Sequence, residues 1–71
     1  MPVEVKAPIT GNLWKIVKKV GDTVEEYEPI MILESMKMEI PVESPAAGKI
    51  VEIKVQEGAS VIEGDLLAII E

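Results

Sequence analysis

The chain has 71 residues, seven basic against thirteen acidic side chains, a net charge of −6, and no histidine, cysteine or phenylalanine. Those absences exclude the usual nitrogen and sulfur zinc sites, a thiol nucleophile, a hydrolase with an imidazole base, and any disulfide. The acidic balance speaks against nucleic-acid binding, and a hydrophobic share of 48% with only 3% aromatics requires a core of Val, Ile, Leu and Met.

The length predicts a single domain over residues 1–71. Val3-Glu4-Val5 alternates as a short strand does, and Pro8 to Gly11 reads as a turn. Asn12 to Val20 is an extended stretch that offers Lys15, Lys18 and Lys19 to solvent, closed by a Gly21-Asp22 turn. Thr23-Val24 is a brief strand and Pro29 to Glu34 a longer one, while Val24 to Tyr27 is too short for a helix. Ile32-Leu33-Glu34 and Glu39-Ile40-Pro41-Val42 then form two strands joined through Ser35 to Met38, a hairpin with Lys37 at or beside its apex. A turn at Pro45 to Gly48, a strand at Lys49 to Val55, a turn at Glu57-Gly58, a strand at Ser60-Val61 and another at Leu66 to Ile70 complete the chain. Gly11, Gly21, Gly48 and Gly58 are expected where the backbone needs positive φ. No apolar run is long enough to span a bilayer, and none has the pattern of a signal peptide.

The second set of elements repeats the first. A shift of 37 residues lays Ala7–Glu34 on Ser44–Glu71 without a gap, with eight identities in 28 positions: enough to mark an internal duplication. The expected fold is therefore all-β, a flattened barrel or sandwich of two four-stranded antiparallel sheets with pseudo-twofold symmetry, each half covering the other. Ile16, Ile53, Val24, Val61, Ile32 and Ile69 are its expected inward set. Segment 35–43 lies between the copies and breaks the symmetry.

A lone lysine at a turn is ordinarily a solvated charge, and methionine is ordinarily core filler. The two habits conflict here, because Met36 and Met38 flank Lys37 in one tight connection. An exposed Met-Lys-Met tip leaves apolar surface in water, which suits a feature that another protein reads.

Glu34-Ser35-Met36-Lys37-Met38-Glu39 resembles the attachment signature of the biotin/lipoyl attachment family, in its biotin carboxyl carrier, thumbless type. The likeness extends over essentially the whole chain, through Gly21-Asp22, Pro45 to Gly48 and Glu63-Gly64-Asp65. It implies the barrel-sandwich hybrid fold, with Lys37 as the covalent biotin attachment residue and Met36 and Met38 as flanking residues read by biotin protein ligase. Glu34 matches an acidic position that lipoyl domains share. Ser35 stands where biotin carriers more often have Ala. A carrier of this kind is not itself an enzyme; it shuttles carboxybiotin between biotin carboxylase and carboxyltransferase. The ungapped repeat leaves no room for the thumb insertion of acetyl-CoA carboxylase carriers, so the chain is more similar to carriers of pyruvate or propionyl-CoA carboxylases and decarboxylase pumps.

Two alternatives stay open from the residues: a lipoyl carrier with lipoate on Lys37, and a cofactor-free interaction module in which the methionines form a binding patch. Further expectations are a cytoplasmic location, a monomeric isolated domain, and no nucleic-acid partner or membrane insertion. The chain is either a free-standing carrier or a domain of a longer protein, and the carboxylase it serves is not legible in these residues.

Overall fold

Alternation and turn chemistry divide the chain into eight strands in the computed structural model, which describes residues 2–71. They are β1 (Val3–Lys6), β2 (Gly11–Ile16), β3 (Thr23–Val24), β4 (Pro29–Ser35), β5 (Met38–Glu43), β6 (Gly48–Ile53), β7 (Ser60–Val61) and β8 (Leu66–Ile70). Two antiparallel four-stranded sheets result, ordered β1-β8-β6-β3 and β5-β4-β2-β7. Adding 37 to each residue number carries the first four strands onto the last four, each into the opposite sheet: β1 becomes β5, β2 becomes β6, β3 becomes β7 and β4 becomes β8. The all-β, two-sheet architecture with internal symmetry is thus as expected.

The core obeys the same symmetry more strictly than the sequence does. The buried residues among those described are thirteen apolar side chains and Ser44. Among the described residues they fall into seven pairs at the repeat spacing: Val5/Val42, Ala7/Ser44, Leu13/Ile50, Val24/Val61, Ile30/Leu67, Met31/Ala68 and Leu33/Ile70. Full burial of a Val, Leu or Ile side chain contributes about 1.5–3 kcal/mol, so a chain of this size needs both halves to exclude water from these positions. Ser44 is the polar exception, and its Oγ donates to the Ala46 carbonyl at 2.6 Å. Val3 and Val5 match Ile40 and Val42, so the duplication includes β1 and β5. The asymmetric bridge therefore shrinks from segment 35–43 to the few residues around the hairpin tip.

Several expectations need correction. Val24 and Val61 are buried, but Ile16 and Ile53 are only half-buried at the margin of the core. Ile32 and Ile69 do not join the core, because their neighbours Met31, Leu33, Ala68 and Ile70 take the inward side of each strand. Strand β2 ends at Ile16 rather than Val20. There Val17 and Lys18 both donate backbone N–H to the Ile30 carbonyl, and the chain leaves for the other sheet, where Gly21 N donates to Ile50 O. Strand β6 likewise ends at Ile53 rather than Val55. Lys18 is also less exposed than expected, since it pairs with Glu28 at 2.8 Å. That hydrogen bond, with the attraction behind it, raises the Lys18 pKa and lowers that of Glu28, whose carboxylate also accepts from Glu25 N.

The glycines divide by physical reason. Positive φ occurs at Gly21, Gly58 and Gly64, but not at Gly11 or Gly48. Gly11 and Gly48 are required by space: a Cβ on Gly11 would lie 2.7 Å from the Glu34 carbonyl oxygen, and one on Gly48 2.6 Å from that of Glu71.

Gly64 exposes an asymmetry. Its repeat mate is Tyr27, which keeps a positive φ of 70° without being glycine and is 68% exposed. The two turns are otherwise the same, with Tyr27 N donating to Ser44 O and Gly64 N to Ala7 O. Tyr27→Gly is expected to raise stability by up to about 1 kcal/mol, relief of left-handed strain outweighing the added freedom of the unfolded chain. Thermal unfolding of the two proteins checks this, and a lower midpoint for the variant contradicts it.

Candidate functional site

The feature that sets one half apart from the other is the β4–β5 hairpin. Ser35 pairs with Met38 and Glu34 with Glu39, leaving Met36 and Lys37 as a two-residue loop. Their φ values are 52° and 66°. A two-residue hairpin loop with both central residues in the left-handed region has the type I′ pattern, ordinarily filled by Asn-Gly or Gly-Gly. A side chain held in that region costs about 1–2 kcal/mol per residue. Among the described residues, this is the one place where two consecutive non-glycine residues bear that cost. Met36→Asn is expected to recover about 0.5–1 kcal/mol of it, measured as a rise in the urea midpoint.

The side chains at the tip are turned to water. Met36 is 92% exposed and Met38 59%, against 0% for Met31 in the same hairpin. Lys37 is exposed and takes part in none of the salt bridges among the described residues. The connection is shorter than the segment Ser35 to Met38: Ser35 and Met38 are already strand residues, and Lys37 is the second residue of the loop. Ser35 is half-buried at the base, while Glu34 and Glu39 are exposed opposite one another. As a like-charge cross-strand pair they weaken the hairpin rather than strengthen it.

The base of the hairpin is held more firmly than its tip. Asn12 of β2 lies opposite Glu34 and accepts a hydrogen bond from Ser60 Oγ at 3.0 Å. Gly11 lets β2 approach the Glu34 carbonyl where any side chain would collide. Glu63 N donates to Thr10 Oγ1, which ties two neighbouring turns together, and Ile62 N donates to Asp65 Oδ2 within the second of them. Asn12, Ser60 and Thr10 carry no periodic or motif signal in the sequence, so these supports emerge only from the strand register. Pro41 removes a donor from the middle of edge strand β5, where it faces Ile32, and so blunts that edge against pairing with another chain.

The site therefore presents a primary amine on a four-carbon stem, at the end of a rigid two-stranded support, between two exposed thioethers. Such an amine can be acylated and then serves as a long tether. Among the described residues there is no cavity and no cluster of three or more side chains suited to a metal ion. The geometry offers attachment rather than enclosure.

The family model described as biotin-requiring enzyme matches residues 3–70. A biotin/lipoyl attachment protein of Bacillus subtilis is 48% identical over 63 residues, covering 89% of this chain and 86% of that protein. A biotin carboxyl carrier protein of Streptococcus mutans is 46% identical over 61 residues, covering 86% of this chain and 47% of its own length. Among solved structures, the urea carboxylase of Kluyveromyces lactis superposes with a TM-score of 0.94 at 37% identity, across 100% of this chain and 6% of that one.

Proposed function

The chain belongs to the biotin-requiring enzyme family, and from that membership we propose that it is a biotin carrier loaded on Lys37. The observation that carries the assignment is the strained Met36-Lys37 loop, which holds clear of the fold an amine that has no ion-pair partner among the described residues. Strain retained in an exposed loop is characteristic of a functional constraint. The biotin carboxyl carrier protein and the urea carboxylase to which the chain is similar support biotin as the cofactor. They also support a role as a non-catalytic component of a biotin-dependent carboxylase.

The chain's own residues do three things in this reading. Lys37 Nζ supplies the nucleophile that attacks the activated biotin carboxyl, and a biotin protein ligase accepts the proton the amine gives up in forming the amide. Amide formation replaces a cation by a neutral group, moving the formal charge from −6 to −7. Met36 and Met38 give the ligase an apolar handle on each side of the amine. Ser35 and Glu34 contribute through the backbone, Ser35 closing the loop opposite Met38 and Glu34 lying between Asn12 and Glu39. Once attached, biotin supplies the carboxyl-carrying chemistry, and the tether raises its local concentration at a carboxylase site and a carboxyltransferase site. Carriage by an isolated monomer in the cytoplasm completes the proposal.

Expression with biotin and a biotin protein ligase, followed by intact mass, tests this reading. One biotinyl increment per chain is expected. A lipoyl increment alone would replace biotin with lipoate, and no acyl increment under any condition would leave a cofactor-free interaction module. Met36→Asn separates stability from recognition: the variant that unfolds at higher urea should be loaded more slowly. Equal loading rates would show that the Met36 side chain is not read.

A further inference from the structure

We propose that Met36 and Met38 are sites of reversible sulfoxidation by hydrogen peroxide, and that the oxidised tip is a poor substrate for loading at Lys37. This rests on the carrier reading and adds a chemical control to it. The chain has four methionines and no cysteine, so thioethers are its available sulfur. Their accessibilities are sharply divided: Met36 is 92% exposed and Met38 59%, while Met31 in the same hairpin is 0% exposed. Susceptibility to oxidation follows exposure. Among the described methionines the two exposed thioethers therefore flank the one lysine on the loop, and the buried one serves as an internal control.

The step balances with peroxide as the sole co-reactant. A sulfur lone pair attacks one peroxide oxygen, the S–O bond forms and the O–O bond breaks. The departing hydroxide takes the proton from the transferred oxygen and leaves as water. Sulfur is oxidised by two electrons and peroxide is reduced by two. Methionine sulfoxide reductases reverse the change, which makes it a switch rather than a lesion.

The consequence follows from polarity. In the carrier reading Met36 and Met38 are apolar handles for the ligase, and sulfoxidation turns each into a strong hydrogen-bond acceptor where an apolar contact was made. The fold itself does not depend on either side chain, since both stand outside the core. Loading should therefore fall while folding is preserved. An acceptor buried without a donor lowers binding by roughly tenfold or more, and two flanking sulfoxides should slow loading by at least that factor.

The test uses the full chain, unloaded, treated with hydrogen peroxide that is quenched before ligase, ATP and biotin are added. Peptide mapping should show oxygen on Met36 and Met38 with Met31 spared, and loading should slow at least roughly tenfold. Methionine sulfoxide reductases should restore it. The double variant Met36→Leu with Met38→Leu keeps apolar handles that cannot be oxidised, and should load at the same rate before and after peroxide. Oxidised wild-type chain that loads at the untreated rate overturns the proposal, as does equal oxidation of Met31. A peroxide-treated double variant that slows as much as the wild type also overturns it. Failure of the untreated chain to load at all would instead overturn the carrier reading and this inference with it.

Discussion

Leu13→Ala is expected to destabilise the protein by about 2–5 kcal/mol, as large-to-small changes do in tight cores. A domain of this length has a total stability of roughly 4–11 kcal/mol, so the variant should unfold over much of the ordinary urea range. Leu13 is 0% exposed and its repeat mate Ile50 is 1% exposed. Ile50→Ala should therefore fall in the same range. Ile32→Ala provides the contrast. Ile32 looks equally apolar in the sequence, but it is half-buried and outside the core, so its truncation should cost about 1 kcal/mol or less. Urea unfolding of the three variants decides the matter, and equal losses at Leu13 and Ile32 would refute the inward set drawn from the structure.

The second large effect is chemical. Lys37→Arg should abolish the biotinyl increment completely and leave the unfolding midpoint unchanged. The side chain is exposed and makes none of the salt bridges among the described residues, so arginine can occupy its place without loss of packing. Arginine keeps the charge and the reach, but its guanidinium stays protonated and does not serve as an acyl acceptor at neutral pH. Loss of loading with intact folding therefore isolates the amine. An increment that survives in the variant would move the attachment to another lysine.

Much of this was legible in the residues because the duplication writes the fold twice. Pro8/Pro45, Gly11/Gly48 and Val24/Val61 announce equivalent places in two half-barrels, and Met36-Lys37-Met38 stands at the junction. What was not legible depended on register. Bulges near Trp14, Ile30, Val51 and Leu67 shift the alternation within β2, β4, β6 and β8. Identity across the repeat then points to Ile32 and Ile69 as inward, when Met31 and Leu33 in one strand and Ala68 and Ile70 in the other occupy the inside. The same limit hid the reason for Gly11, which yields space to the Glu34 carbonyl rather than adopting positive φ. The type I′ loop was hidden for the opposite cause: neither Met36 nor Lys37 is a residue that such a turn selects. Local preference is overridden there, and tertiary structure alone reveals it.

Tyr27 shows the same override in the first copy of the repeat, at a turn that Gly64 completes without strain in the second. The two tip residues and Tyr27 are the non-glycine positions with positive φ among the described residues. The tip pair includes the lysine proposed for attachment, and Tyr27 is a place where strain can be removed without touching it. Tyr27→Gly thus serves as a control for Met36→Asn: both should gain stability, and only the second should lose loading rate.

The central claim is that biotin is carried by Lys37 and by no other residue. All seven basic side chains are lysines, at positions 6, 15, 18, 19, 37, 49 and 54, so trypsin can cut only at these places. Acylation removes the charge that trypsin requires, and a loaded chain should resist cleavage at Lys37 alone. Tryptic mapping of the loaded protein should therefore give a peptide from Val20 to Lys49 bearing one biotin, with the other six lysines cleaved as in the unloaded chain. Biotin found on any other lysine, or cleavage after Lys37 in the fully loaded protein, would contradict the account.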